Sequence, residues 1–290
     1  MTDDGEIAQG CDLPLDAHLH TNLSPDSDVA IDLYAMQAIE RGISEIAITD
    51  HVDFEPGAPA FDFVPFATRE RTVREAAERW APLGVAVRFG AEITYDSRFE
   101  AEIRDHLAGH AYDYVIGSVH VYASSPYHRD RIRAWVAGRS LTEIVAPYFD
   151  EVERAIRSEL FDTLGHLDFV KRSLVPHVTP ADLAGAPELY ERLLVALVET
   201  GTALEVNTSG LRQPARETYP SAAVVARFQV LGGNRISAGS DAHQKDAFAS
   251  GLEAGYRVAA AAGFRELAFR RGGERVAISL PDRFRDPVST

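Results

Sequence analysis

The feature that most constrains the fold is a regular alternation of two kinds of segment. Seven short apolar runs, rich in β-branched residues, occupy residues 13–18, 43–49, 85–93, 113–119, 161–167, 202–207 and 235–239. Seven longer runs with helical spacing of apolar residues occupy residues 30–41, 65–81, 98–108, 141–158, 180–199, 221–231 and 246–262. Strands that alternate with helices predict a parallel sheet. Because no linker or internal repeat interrupts the 290 residues, we predict one α/β domain, a TIM-like (β/α)7 barrel, rather than an open sheet.

The two ends of the chain depart from this alternation. Residues 266–269 and 276–280 flank Gly272-Gly273 and predict a terminal hairpin in place of an eighth barrel strand. Residues 1–12 are polar and acidic, and we expect them to form a flexible N-terminal segment. Residues 270–290 are expected to form a C-terminal extension of the domain.

Composition excludes several classes of protein. The formal net charge of −15 disfavours a nucleic-acid or anionic-membrane binder, although bound cations can still attract an anionic substrate. The single cysteine, Cys11, excludes a disulfide within the chain and disfavours a thiolate metal cluster. Neither a signal-peptide pattern nor a run of about 18 apolar residues is present. We therefore expect a soluble cytoplasmic protein, and the sequence leaves its oligomeric state open.

Ligand-type side chains gather where the predicted strands end. Six of the ten histidines lie there, together with three carboxylates: His18, His20, His51, His120, His166, His243, Asp26, Glu92 and Asp241. Each alone also fits an ordinary role, such as a turn residue for Asp26 or a surface acid for Glu92. In an α/β barrel, however, the carboxyl ends of the strands meet at one rim, which carries the active site. Nine such side chains suit two or three divalent transition ions, with positions left open for water and substrate.

The order of these motifs resembles the PHP (polymerase and histidinol phosphatase) superfamily, and most closely its histidinol-phosphatases. The motifs are Asp16-x-His18-x-His20, Thr49-Asp50-His51, Gly90-x-Glu92, Gly117-Ser118-Val119-His120, Gly165-His166-Leu167-Asp168 and Ser240-Asp241-Ala242-His243. The resemblance covers residues 16–243. It implies a distorted (β/α)7 barrel and a trinuclear centre of Zn, Fe or Mn.

The resemblance also implies how the ligands divide among three ions. One ion would be held by His18, His20, Glu92 and Asp241. Glu92 would bridge to a second ion, held by His120 and His166, and a third would be held by Asp26, His51 and His243. We expect Glu92, Asp241 and His243 to take part in catalysis. The adjacent acids Asp16, Asp50 and Asp168 would orient ligand imidazoles or simply cap the local chain.

The resemblance implies hydrolysis of a phosphomonoester, L-histidinol phosphate, and we expect it to proceed by in-line attack of a metal-bridging hydroxide. Four residues are candidates for binding the substrate, although each also fits a solvated or turn-capping role: Arg212, Lys171, Arg172 and Asn207. The loop of residues 53–65 contains acids and aromatics, namely Asp53, Phe54, Glu55, Phe61, Asp62 and Phe63, that would suit an amine and an imidazole or form a solvated lid. The alternatives are a phosphoesterase for a nucleotide or sugar phosphate, a nuclease, and a non-catalytic metal-binding domain. The net charge disfavours the nuclease, and the complete ligand set disfavours the non-catalytic domain.

Overall fold

Seven parallel strands form a nearly closed barrel, as the alternation predicts. The computed structural model describes residues 12–122 and 124–285, so the predicted N-terminal segment lies, apart from Asp12, outside the described residues. The strands are β1 (Asp16–Leu19), β2 (Glu45–Ile48), β3 (His51–Val52), β4 (Ala86–Thr94), β5 (Tyr114–Ser118), β6 (Thr163–Leu164), β7 (Ala203–Asn207) and β8 (Ile236–Gly239). Seven of them follow the order β1-β2-β4-β5-β6-β7-β8. The bridge between Leu19 and Ala242 brings the end of β8 back to β1.

The eighth strand of this sheet, β3, is absent from the sequence prediction. It contains two residues and pairs with the second half of β4, beyond the end of β2. The predicted strand of residues 161–167 is reduced to the two residues of β6. Gly165, the next residue, packs so closely against Ser118 that a Cβ there would lie 2.4 Å from its hydroxyl oxygen. His166 then adopts a φ of 20°, which turns the chain out of the sheet.

Helices surround the barrel and separate its successive strands, except for β2 and β3. They are α1 (Ile31–Arg41), α2 (Phe66–Trp80), α3 (Glu100–Gly109), α4 (Ile132–Val136), α5 (Leu141–Arg157), α6 (Lys171–Leu174), α7 (Pro180–Ala184), α8 (Glu188–Thr200), α9 (Ala222–Val230), α10 (Leu252–Ala261) and α11 (Asp282–Arg285). Strands β2, β5 and β8 are buried on both faces, as expected for a parallel sheet covered by helices. Among the described residues, none of the helices combines the length and apolar character needed to cross a lipid bilayer.

Two predicted helices are wrong in extent. The helix predicted over residues 180–199 is two helices, α7 and α8, separated at Gly185–Pro187, where Pro187 has no backbone N–H to continue the first. The helix predicted over residues 246–262 begins only at Leu252. The carbonyl oxygen of Ser250 accepts hydrogen bonds from Thr208 and Arg212, so it makes a tertiary contact before the helix begins.

The predicted terminal hairpin is confirmed and lies against the amino ends of the barrel strands. It consists of β9 (Glu266–Arg271) and β10 (Glu274–Ser279), paired antiparallel. The ring of Phe269 lies 4.5 Å from that of Tyr114 at the start of β5. Arg271 contacts the buried carboxylate of Glu45, the first residue of β2, at 2.5 Å. The hairpin therefore packs on the end of the barrel opposite the carboxyl ends of its strands.

We expect Glu45→Gln to lower the free energy of unfolding by about 1–3 kcal/mol, because it removes a buried charge from between Arg88 and Arg271. The measurement is urea denaturation of the full chain. The control is Arg79→Gln, which removes the exposed ion pair with Asp32 and should change stability by no more than about 0.5 kcal/mol. Equal effects of the two substitutions would contradict a structural role for the hairpin contact.

Candidate metal centre

The nine predicted ligands converge at the carboxyl ends of the strands. Their positions follow from the barrel: His18 belongs to β1, His51 to β3 and Glu92 to β4, and the others follow β1, β5, β6 and β8. The pairing register places His51 directly beside Glu92 on neighbouring strands. Parallel strands thus deliver side chains that are far apart in sequence to one rim of the barrel.

Glu92 lies at the centre of the group. Its side chain is only 1% exposed, and its two oxygens point in different directions. Oε2 lies 2.8–3.5 Å from nitrogens of three imidazoles, those of His18, His20 and His51. Oε1 lies 3.4 Å and 2.8 Å from Nε2 of His120 and His166. One carboxylate is therefore shared by two sets of imidazoles.

The first set of donor atoms contains His18, His20, Glu92 and Asp241. Nε2 of His18 lies 3.0 Å from Nε2 of His20. Oδ1 of Asp241 lies 3.4 Å from Nε2 of His20 and 3.8 Å from Nε2 of His18. Two ligands of one ion with bonds of about 2.1 Å lie about 3.0–3.5 Å apart, so these separations are close to those of a shared ion.

A further set lies on the open side of the cluster. Oδ2 of Asp26 is 3.3 Å from Nε2 of His51 and 3.2 Å from Nε2 of His243. The two imidazole nitrogens are 3.4 Å apart. The side chain of Asp26 is half exposed, whereas those of His18 and His20 are fully buried. This set therefore faces the solvent side of the site.

Hydrogen bonds within the cluster do not satisfy all of its donor atoms, whereas bound cations would. Oε2 of Glu92 is buried and accepts no hydrogen bond of acceptable geometry, although imidazole nitrogens surround it. A buried carboxylate without such a partner requires positive charge nearby. Imidazole and carboxylate together are ligands for transition ions. The cluster is therefore able to bind metal.

The electrostatics of the cluster point the same way. Burial raises the pKa of Glu92, but the neighbouring imidazoles, His120 first, outweigh burial and hold the pKa well below its usual value. Burial lowers the pKa of His51, yet Glu92 and Asp26 raise it to about 10. Burial lowers the pKa of His20 well below its ordinary value, and His243 and His51 add to that effect. The carboxylates thus remain ionised and favour cations at this rim.

Three side chains for which the sequence predicts no role orient the imidazoles. Oε1 of Glu205 lies 2.7 Å from Nδ1 of His18. Oγ1 of Thr94 lies 3.0 Å from Nδ1 of His120. Oγ of Ser24 lies 3.4 Å from Nδ1 of His20 and accepts the backbone N–H of His51. Such partners fix the ring orientation and leave Nε2 free for a ligand. The signal for Glu205 was a carboxylate in an otherwise apolar strand.

The expectation that Asp16, Asp50 and Asp168 orient imidazoles is wrong. Within residues 12–122 and 124–285, their hydrogen bonds go elsewhere. Asp16 accepts the backbone N–H of Ser240, and Asp50 accepts the N–H and hydroxyl of Thr21. Asp168 accepts the hydroxyl of Tyr190. These acids tie the loops at the rim to one another.

A cavity of about 500 Å³ opens above the cluster. Two of the predicted substrate-binding cations, Arg172 and Arg212, line it. Arg212 donates to the carbonyl oxygens of Ser240 and Ser250 at 2.8 and 3.1 Å, so its guanidinium is fixed in place. Arg172 lies over the ring of Phe169, with 5.5 Å between its Cζ and the ring centroid. The cavity thus combines cationic walls with an anionic floor.

The other two predicted substrate-binding residues lie outside this cavity. The ammonium of Lys171 is buried and lies 2.5 Å from carboxylate oxygens of Asp168 and Glu217. The side-chain amide of Asn207 donates to Glu205 and Asp241, and its oxygen accepts from Ser209. Both side chains therefore have protein partners for their polar atoms.

Of the acids and aromatics in the loop of residues 53–65, only Asp53 lines the cavity. Its carboxylate accepts the hydroxyl of Tyr122 at 3.3 Å and the backbone N–H of Ala60 at 3.0 Å. Glu55 instead contacts Arg98 at 3.1 Å. Phe54 packs against His106, with ring centroids 5.5 Å apart. The loop thus presents one carboxylate to the cavity.

A domain profile and two similar proteins point to the same family. Residues 16–209 match the sequence profile of the PHP domain. A protein of Deinococcus radiodurans with the name "probable histidinol-phosphatase" is 32% identical over 251 residues, which are 84% of this chain and 89% of that protein. The histidinol-phosphatase of Lactococcus lactis is 29% identical over 265 residues, 88% of this chain and 93% of that protein.

A solved structure shares the fold over nearly its whole length. It is the crystal structure of histidinol phosphate phosphatase from Lactococcus lactis in complex with zinc, L-histidinol and phosphate. Its TM-score to this chain is 0.79 at 25% sequence identity, covering 91% of this chain and 98% of that one.

Removing a side chain that only hydrogen-bonds to a metal ligand typically lowers metal affinity by about 10–100-fold. Glu92 would contact the metal directly, so we expect Glu92→Gln to lower metal affinity by more than that. The neutral amide removes the charge that both sets of imidazoles face. The measurement is metal content after dialysis, by inductively coupled plasma mass spectrometry, with circular dichroism to confirm folding. The exposed His177→Gln is the control and should retain its metal. Full metal content in Glu92→Gln would contradict a central role for this carboxylate.

Proposed function

The chain belongs to the PHP domain family, and we propose that it is a metal-dependent phosphatase that hydrolyses L-histidinol phosphate to L-histidinol and phosphate. The observation that carries the proposal is the cavity itself. Its floor holds the His and carboxylate cluster, and its walls present Arg172, Arg212 and Asp53. The similar Lactococcus lactis structure contains zinc with L-histidinol and phosphate, the two products of this reaction.

We assign three ions to the cluster, with Zn, Fe and Mn as the candidates. The first would be held by His18, His20, Glu92 and Asp241, the second by Glu92, His120 and His166, and the third by Asp26, His51 and His243. The separations of 2.8–3.8 Å among donor atoms within these sets support the assignment. When bound, such ions lower the pKa of water and neutralise the charge of a phosphoryl group.

The arginines bind the phosphate in this proposal. Arg212 has donors beyond those given to the carbonyl oxygens of Ser240 and Ser250, because a guanidinium carries five N–H groups. Its fixed position lowers the entropy lost when it binds a ligand. Arg172 lines the same cavity and is more exposed. Two guanidinium groups and the cations of the cluster together compensate a phosphate dianion in an acidic protein.

Asp241 and His243 complete the reacting end of the cavity. Burial raises the pKa of Asp241, but His18, His20 and His243 hold it well below its usual value, so the carboxylate is ionised. Asn207 donates to Oδ2 of Asp241 at 3.3 Å and orients it. Nδ1 of His243 lies 3.4 Å from Oδ1 of Asp241. A shorter contact of 3.2 Å joins Nδ1 of His243 to the backbone carbonyl oxygen of Asp241, so both residues act at this end as oriented ligands.

Asp53 supplies the selectivity for the amine end of the substrate. Histidinol phosphate carries an ammonium and an imidazole at the end opposite its phosphate. The carboxylate of Asp53 lines the same cavity as the arginines and is oriented by Tyr122. A carboxylate paired with a cation in a partly buried site is a strong, directional contact.

We expect Asp53→Asn to lower kcat/KM for histidinol phosphate by about 10–100-fold, because it removes a charge-assisted hydrogen bond to the amine end. Turnover of p-nitrophenyl phosphate, which has no cation, should change by less than about 3-fold. The measurement is steady-state kinetics on both substrates with the metal-loaded enzyme.

The matched control is Glu55→Gln in the same loop, since Glu55 contacts Arg98 and does not line the cavity. It should leave both substrates unaffected. Equal losses on the two substrates in Asp53→Asn would contradict the assigned role of Asp53. A higher wild-type efficiency on a nucleotide or sugar phosphate would replace histidinol phosphate with that substrate class.

A further inference from the structure

Lys171 joins two segments of the chain that carry different arginines. Its side chain is 2% exposed, and Nζ lies 2.5 Å from Oδ2 of Asp168 and 2.5 Å from Oε1 of Glu217. Asp168 and Lys171 belong to the segment that follows β6 and continues directly into Arg172. Glu217 belongs to residues 208–220, here called the arginine loop because it contains Arg212. The buried ammonium is thus an ionic link between the segment that carries Arg172 and the loop that carries Arg212.

A ring contact supports the same link. The ring of Phe169, which lines the cavity, lies 6.0 Å from that of Tyr219 in the arginine loop. Tyr219 exchanges both backbone hydrogen bonds with Asn207 at the end of β7. Its hydroxyl donates to the side-chain oxygen of Gln213, the residue after Arg212. The arginine loop therefore folds back on itself, because Tyr219 near its end is bonded both to Asn207 before the loop and to Gln213 within it.

Glu217 is packed directly on the turn that carries Arg212. Residues Ser209–Arg212 form a 3-10 turn. Gly210 in that turn approaches the backbone of Glu217 so closely that a Cβ would lie 2.1 Å from the carbonyl oxygen of Glu217. A shift of Glu217 would therefore move the turn as well.

We propose that Lys171 is a positioning residue: through Glu217 it holds the arginine loop against the segment after β6, and so sets the spacing of Arg212 and Arg172 across one phosphate group. The proposal rests on the function assigned above. It replaces the direct contact with substrate that the sequence predicts for Lys171. Preorganised cations bind a phosphate group more tightly than cations that must first be ordered.

Glu217→Gln is the sharper substitution to test. It keeps the volume of the side chain and removes only the charge, and the Lys171–Asp168 pair remains. Glu217 is 29% exposed, so the protein should still fold. Lys171→Met would leave the fully buried carboxylate of Asp168 beside that of Glu217 without a cation, and its folding must be verified by circular dichroism.

The experiment measures phosphate binding in the metal-loaded full chain, with inorganic phosphate as inhibitor and p-nitrophenyl phosphate as substrate. In Glu217→Gln we expect the KM and the inhibition constant to rise about 5-fold, with kcat within about 2-fold, because the metal cluster is untouched. In an Arg212→Ala background the same substitution should have no further effect, because both act through one guanidinium.

Glu45→Gln is the control, since it removes the charge of a carboxylate that contacts Arg88 and Arg271 at the opposite end of the barrel. It should lower stability without changing the inhibition constant for phosphate. An unchanged inhibition constant in Glu217→Gln, or the same fold-loss with and without Arg212, would overturn the positioning role.

The outcome is separable from that of the proposed function, because neither probe contains histidinol. Hydrolysis of p-nitrophenyl phosphate but not of histidinol phosphate would remove the proposed substrate and leave this test intact. If neither ester is hydrolysed, isothermal titration of inorganic phosphate into the metal-loaded variants gives the same comparison. A 5-fold weaker affinity in Glu217→Gln would then support the positioning role.

Discussion

The structure depends on the burial of one carboxylate among five imidazoles. Glu92 lies within the longest barrel strand, with Oε2 facing one set of imidazoles and Oε1 facing another. A buried anion in such a place is stable only when cations or hydrogen-bond donors compensate it. The arrangement therefore couples the fold to its ligands: the same strand that forms the barrel wall supplies the group that requires positive charge at the rim.

The rest of the rim is organised around that requirement. Glu205 and Thr94 orient the imidazoles of His18 and His120 through Nδ1. Asp16 and Asp50 fix the chain after β8 and after β1, next to the ligands that follow those strands. Arg172 and Arg212 line the cavity rather than contacting the cluster of imidazoles and carboxylates. Arg212 is held there by backbone carbonyl oxygens, which orient the guanidinium without neutralising its charge. Anionic floor and cationic walls together give a site that can hold metal ions and a phosphate dianion at once.

Much of this arrangement is predictable from sequence, for a definite reason. The seven strands follow from the alternation of apolar runs, and the convergence of the nine predicted ligands follows because parallel strands bring their carboxyl ends to one rim. The prediction fails where a contact between residues far apart in the sequence determines the position or the partner of a side chain. Lys171 has the sequence pattern of a basic residue next to a substrate site, but Glu217, 46 residues further along the chain, holds it in the interior. The role of Glu205, an acid in a core strand, becomes visible only in the structure, where its partner His18 lies beside it although the two are 187 residues apart in the sequence. Helix α10 begins only after Ala249 and Gly251, whose φ angles of 52° and 75° cannot belong to a right-handed helix.

The most direct test of this account is anomalous diffraction from crystals of the metal-loaded protein, recorded at the Mn, Fe and Zn absorption edges. The account predicts metal peaks on both sides of Glu92, each within about 2.0–2.3 Å of one of its oxygens, with the imidazoles of His18 and His20 on one side and those of His120 and His166 on the other. A third peak is predicted between Asp26, His51 and His243. Metal bound elsewhere in the protein, or a single ion that does not touch Glu92, would contradict it.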